Sequence, residues 1–174
     1  MADRDFNALF QVLSNEQQLL QRADQKAYTM LSIIAVWMMF FIVHYMKVPP
    51  YKYVLVFMGA YFVFAMCSIG LLLAVITPRV THTLVETKGT RRINPTFFAG
   101  IVQFKSPEEF SRSLHEAAQD DEHMYAMFAD SVYRIAHINK AKSVNLRRAI
   151  FAFVIAVVVE FCLVFYVYMH QFFS

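Results

Sequence analysis

The chain has 174 residues, a formal net charge of +3, 58% hydrophobic residues and 17% charged ones, with 18 Phe, 10 Met and 9 Tyr. Such a composition excludes global disorder, which goes with few apolar and many charged residues. Two cysteines exclude a disulfide scaffold.

Residues 5–26 carry a helical pattern: Phe6, Leu9, Phe10 and Leu13 follow i, i+3, i+4, i+7 spacing, and Leu20 and Ala27 continue the stripe one and two heptads later. Nothing from Gln17 to Trp37 breaks a helix, so a helix over 1–26 is predicted to run on into the apolar run that follows. Its stripe has three readings: packing against the rest of the chain, lying on a lipid surface, or forming a seam between copies.

Three runs hold most of the apolar mass: Ala27–Met46, Tyr53–Ile76 and Ala149–Met169, with 58 hydrophobic residues among their 65. A bilayer core of ~30 Å takes about 20 residues of helix, and each run meets that length. A chain this short cannot surround three helices that are apolar on every side, so a globular core is the poorer reading. The first run sits behind a polar segment and has no small-residue cleavage site, unlike a signal peptide. The predicted fold is an all-α membrane protein: three transmembrane helices (27–46, 53–76, 149–169) with a small, mainly helical domain (77–148) between spans two and three.

Charge sets the expected orientation. Lys and Arg number three before the first span, two in residues 47–52, eleven in 77–148 and none after Met169. Positive residues stay cytoplasmic, which puts the N-terminus and residues 77–148 inside, and the 47–52 turn and the 170–174 tail outside. An odd span count agrees. With so little chain outside, recognition of an external ligand is excluded.

Within 77–148, Pro78 is expected to end the second span. Val80 to Val85 suits a short strand, 87–90 with Gly89 a turn, and Asn94-Pro95 a second turn anchored by Phe97 and Phe98. Ser106-Pro107-Glu108-Glu109 is a helix start, with Ser106 as cap, Pro107 at the first position and Glu109 reaching back to the Ser106 amide. Phe110, Leu114 and Ala117 then share a face. The acidic run Asp120-Asp121-Glu122 marks a break. A further helix with Met124, Phe128, Val132, Ile135 and Ile138 on one side meets no Gly or Pro and continues into the third span.

Catalytic signatures are missing. His115-Glu116-Ala117-Ala118-Gln119 approaches a zinc-protease motif but has Gln119 where the second histidine is needed. His115 and His123, eight apart on a helix, make at most two ligands of an incomplete metal site. With four glycines in the chain, a glycine-rich phosphate loop is not expected. No metal, cofactor, nucleic-acid partner or enzymatic activity is expected. Phosphate can instead be held by cations: Arg91, Arg92, Arg134, Lys140 and Lys142 are the candidates, with solvation or contact with anionic lipid as the competing reading. Cys67 and Cys162 read as packing residues of the spans. Glu160 is the sharpest single residue. A midspan acid costs ~2.5–3.5 kcal/mol on insertion scales, so it must be protonated, paired, or face a protein or water-filled interior. Ser32, Ser68, Thr29 and Tyr61 are the neighbours considered, and an oligomeric pore lining is the functional alternative to interhelical glue.

Taken together, Ala23-Asp24-Gln25-Lys26-Ala27 leading into a span, Ile93-Asn94-Pro95-Thr96-Phe97-Phe98, the Ser106-Pro107-Glu108-Glu109-Phe110 start, Val132-Tyr133-Arg134-Ile135-Ala136, and Lys142 with Leu146-Arg147 entering a last span resemble the Pycsar effector family, transmembrane effectors of bacterial antiphage defence. The resemblance covers about residues 20–165. It implies an inner-membrane effector governed by a cytoplasmic nucleotide signal, a cyclic pyrimidine mononucleotide made by a separate cyclase after infection, that then damages the membrane. The family-matching positions are Asp24, Lys26, Asn94, Pro95, Phe97, Phe98, Tyr133, Lys142 and Arg147, which adds Asn94 to the ligand candidates; the pore or gating role of Glu160 rests on its midspan position alone. The expected partners are the lipid bilayer, further copies of the chain in a homo-oligomer, and a cyclic pyrimidine nucleotide or a cytoplasmic partner protein. The other class of function is a membrane anchor that recruits such a partner without forming a pore.

Overall fold

A computed structural model describes residues 2–45, 48, 51–77, 85–87, 90–92, 94–96 and 98–173, with the backbone alone described at 2–5, 85–87, 90–92, 98–99 and 173. Helices dominate: α1 (Ala2–Tyr45), α2 (Lys52–Ile76), α3 (Phe98–Ile101), α4 (Pro107–Ala118) and α5 (Asp121–Phe173), with a hairpin of β1 (Val85–Thr87) and β2 (Thr90–Arg92) between α2 and α3. Three helices, α1, α2 and α5, are long and apolar enough to cross a membrane. The chain divides into two compact units: residues 1–20 with 78–140, and residues 21–77 with 141–174.

The second unit holds the apolar runs. Along α2 the inward positions are Val54, Met58, Tyr61, Ala65, Ser68, Leu72 and Val75, alternating four and three residues apart. In this unit, Ala27, Met30, Ile34, Trp37 and Phe41 of α1, and Lys142, Asn145, Ala149, Ala152, Ala156, Val159 and Leu163 of α5, repeat the same spacing. A 3.5-residue repeat is the signature of helices wound left-handedly with side chains interlocked. Small residues on the seam (Ala27, Ala65, Ser68, Ala149, Ala152, Ala156) let backbones approach closely, which is how helices associate when lipid is as apolar as the partner helix. The Ser68 hydroxyl uses that proximity, donating to the Ala149 carbonyl at 2.8 Å while fully buried. Two apolar clusters form the core, one around Ala27, Ile34, Leu72, Val75, Leu146 and Ala149, the other around Phe41, Tyr45, Tyr61, Ala156 and Leu163. In the latter, Phe41 stacks on Tyr61 with centroids 3.8 Å apart. The remaining faces, such as Met39, Phe40, Val63, Phe151 and Phe165, point outward, as lipid-facing positions do. Cys67 and Cys162 also face outward, so they are not the interior packing residues expected.

In the first unit, Phe6 and Phe10 of α1 meet Tyr125 and Phe128 of α5 edge to face, with centroids 5.8 and 5.1 Å apart. The N-terminal stripe thus packs against the chain's own fifth helix. The predicted strand is described only at its end. Val80 to Leu84 lie outside the described residues, β1 begins at Val85, and it pairs antiparallel with β2 in the register Val85↔Arg92, Glu86↔Arg91, Thr87↔Thr90. Pro78, Gly89 and Phe97 also lie outside the described residues, as does the side chain of Phe98.

The α4 start forms with one difference. Ser106 Oγ accepts from the Glu109 amide at 3.2 Å, but Glu109 reaches back one residue further than expected and takes the Lys105 amide at 3.0 Å. The break after α4 is a cap for the next helix. Asp120 Oδ1 accepts from the amides of Glu122 (3.0 Å) and His123 (3.3 Å), while Asp121 and Glu122 occupy the first turn, where the helix dipole favours acids. This cap places His115 on α4 and His123 on α5, so the two do not share a helix face. Helix α5 then runs 53 residues without interruption.

Candidate functional site

Asn94 is the most connected polar side chain of the first unit. Its Nδ2 donates to the Met127 carbonyl (3.0 Å), Asp130 Oδ2 (3.3 Å) and Ser131 Oγ (3.3 Å), and its Oδ1 accepts from the Thr96 amide (2.9 Å) and hydroxyl (2.6 Å). The bond to the Thr96 amide, two residues on, closes an Asx turn. Thr96 and Ser131 complete the ring, with hydroxyls 2.9 Å apart. Asn94 and Ser131 are buried, 3% and 2% exposed, and a buried amide in this setting must be satisfied or it costs ~1–3 kcal/mol. Gly100 lets the chain pass: a Cβ there would sit 1.9 Å from the Asn94 carbonyl oxygen. The Asn-Pro-Thr turn is therefore pinned onto α5, and the amide of Asn94 is engaged within the protein.

Arg134 belongs to the same neighbourhood. Its Nε pairs with Asp130 Oδ2 at 2.7 Å, and that carboxylate also receives Asn94. Lys140 is exposed on α5. Arg91 and Arg92 form the end of β2, with side chains outside the described residues. Lys142 is in the second unit, 4% exposed, with Nζ 2.6 Å from Asp24 Oδ1. Of the six ligand candidates, the structure brings together Asn94 and Arg134 through Asp130, and turns Lys142 inward onto Asp24.

Glu160 is half-buried in the second unit. Its partner is none of the four neighbours considered from sequence: the Trp37 indole N–H donates to its Oε2. Thr29 and Ser32 bond back to the carbonyls of Gln25 and Tyr28 in their own helix, Ser68 is engaged by Ala149, and Tyr61 stacks on Phe41. Trp37 is the chain's single tryptophan, and buried indoles find acceptors; that was the available signal. Two further contacts escaped the sequence reading. Asn139 Nδ2 donates to the carbonyl and carboxylate of Glu16 at 2.8 and 2.6 Å, and Asp24 pairs with Lys142. Both join α1 to α5 on the seam.

At the α4 start, the Glu108 carboxyl is held below the ordinary range for Glu by hydrogen bonding to its own amide and by the Ser106 side chain. It is fully exposed and belongs to the cap rather than to a catalytic group.

Neither a curated protein nor a solved structure matches the chain. A family model does: that of the Pycsar effector protein domain, over residues 8–169, nearly the whole chain and every element described above. The chain belongs to the Pycsar effector family.

Proposed function

We propose that this protein is the membrane-acting component of an antiphage response. In this reading it sits in the bacterial inner membrane with its N-terminus and residues 77–148 in the cytoplasm and its C-terminus outside. A cytoplasmic signal, a cyclic pyrimidine nucleotide or a partner protein, rearranges a homo-oligomer, and the membrane loses its integrity. No bond is made or broken by the protein itself.

The observation that carries the proposal is the continuity of α1 and α5, 44 and 53 residues long. Each is polar and partly charged over one stretch and apolar over the next. A signal that moves the polar stretch of such a helix moves its membrane stretch too. By population-shift arithmetic, the signal must bind the open arrangement more tightly than the closed one, by about 10⁴-fold for a shift from 1:99 to 99:1. Lys140, exposed, and the two arginines of β2 are the cations proposed to receive a phosphate.

The test is to express the protein in a bacterium and follow membrane potential with a voltage-sensitive dye, with and without cyclic UMP, cyclic CMP and phage challenge. Depolarisation on one of these triggers supports the proposal. Intact potential under all of them, with a cytoplasmic protein retained on the purified chain, points to the recruiting anchor instead.

A further inference from the structure

Among the described residues of the three spans, one side chain–side chain hydrogen bond joins two helices: Trp37 on α1 to Glu160 on α5. Close by is a second donor with nothing to bond. Tyr45, also on α1, is 3% exposed, and among the described residues its hydroxyl has no partner. It belongs to the same apolar cluster as Val159 and Leu163, which bracket Glu160 on α5. An orphaned buried hydroxyl destabilises the arrangement that contains it, most of all where no water competes. The resting bundle is thus held by one donor to Glu160 and destabilised by another that lacks an acceptor. Trp37 and Tyr45 are eight residues apart, ~12 Å along the helix axis, and both side chains are long. A slide of α5 along α1 by about one helical turn, ~5 Å, is a known type of switching motion and carries the carboxylate from one donor toward the other.

We propose that Glu160 is a two-donor switch: in the arrangement described here it accepts the Trp37 indole N–H, and in a second arrangement of the same bundle it accepts the Tyr45 hydroxyl instead. The second arrangement is the membrane-disrupting one if the proposed function holds, and to that extent the inference rests on that reading. Two other titratable groups near this carboxylate are His44, which faces outward on α1, and Tyr61 of α2, buried against Phe41.

The test uses the full chain in phosphatidylethanolamine–phosphatidylglycerol vesicles and needs no signal molecule. Trp37, being the single tryptophan, reports its own bond by fluorescence, and carbon-13 tyrosine labelling reports the Tyr45 hydroxyl, its resonance assigned by its loss in Tyr45→Phe. Glu160→Ala is expected to shift Trp37 emission, and unchanged emission overturns the inference. Trp37→Phe keeps an aromatic side chain but exchanges the indole for a smaller phenyl ring without the N–H. It is expected to raise the second arrangement several-fold, the loss of one hydrogen bond. The Tyr45 resonance should then move and entrapped dye should leak, and Trp37→Phe/Tyr45→Phe should seal the vesicles again. A Tyr45 resonance that stays put in Trp37→Phe sinks the switch. A resonance that moves while the vesicles stay sealed keeps the switch and sinks membrane disruption as its consequence. Should Trp37→Phe fail to insert, Trp37→Leu, which also lacks the donor, takes its place, and a Tyr45 resonance that stays put there overturns the inference.

Discussion

Asn94 shows how one side chain fixes a loop. Five hydrogen bonds converge on its amide, and Gly100 closes on its backbone with no room for a methyl group. Gly100→Ala forces backbone atoms apart and is expected to cost about 3 kcal/mol, read as a lowered unfolding midpoint. Gly59→Ala is the control, since no atom of the described residues lies within 4 Å of a Cβ at Gly59. The Asp24–Lys142 pair follows a different logic. Lys142 is almost wholly buried while the Asp24 side chain is 29% exposed, so removing Asp24 leaves an ammonium stranded. Asp24→Asn is expected to cost toward the lower end of the ~3–5 kcal/mol typical of breaking buried pairs. Replacing both partners with apolar residues (Asp24→Leu, Lys142→Met) removes the stranded charge and should recover most of that loss. A double variant as unstable as Asp24→Asn alone would mean that the pair contributes through more than charge compensation.

At the scale of elements, the caps make the clearest forecast. The Glu108 carboxylate is favoured in the folded state, so its folded pKa lies below the unfolded value. Its contribution is therefore fully present above the ordinary Glu value of ~4.3 and is lost as pH falls through the lowered folded value. Protection factors of the amides in the first turn of α4, which remove the intrinsic pH dependence of exchange, should fall between pH 5 and pH 3 in the wild type, and Glu108→Gln should flatten that step; an unchanged step refutes the assignment. Ser106→Ala should loosen the same turn by ~1 kcal/mol at every pH. The α4 start was legible because capping is written in consecutive residues, as in Ser106-Pro107-Glu108-Glu109; Asp120-Asp121-Glu122 reads as a break, and its use as the α5 cap was not legible. The long helices were legible because nothing in α1 or α5 interrupts them. The interhelical partners were not. Trp37 to Glu160, Asp24 to Lys142 and Glu16 to Asn139 are each more than a hundred residues apart, and pairing them needs the relative register of two helices, which a single-helix periodicity does not contain. Asn94 was singled out from sequence as a ligand candidate. Its use as a fastener depends on Ser131 and Met127 of α5 coming within reach, which only tertiary structure supplies.

At the scale of the whole molecule, charge sets an expected orientation and aromatic side chains mark a membrane interface. Eleven of its sixteen basic residues fall in 77–148 and none follows Met169, and aromatic side chains gather where α2 begins and α5 ends. There Tyr51 stacks on His170 at 4.8 Å and Tyr53 meets Tyr166 at 6.1 Å, with Tyr168 and Phe172 turned outward. Amphipathic rings favour the headgroup layer, and basic loops favour the cytoplasmic side. From the basic residues alone, 77–148 with Ser111 is expected inside and the end of α5 outside. Replacing Cys67 and Cys162, which face outward within the spans, by alanine clears the background for single-cysteine labelling. A membrane-impermeant thiol reagent on intact cells, with the outer membrane made permeable, is expected to label His170→Cys and to spare Ser111→Cys until the inner membrane is opened. The reverse pattern would invert the topology and leave residues 77–148 without access to a cytoplasmic nucleotide. Labelling of both positions in intact cells would mean that the inner membrane is already breached without any signal, which places the disrupted state, rather than the sealed one, at rest.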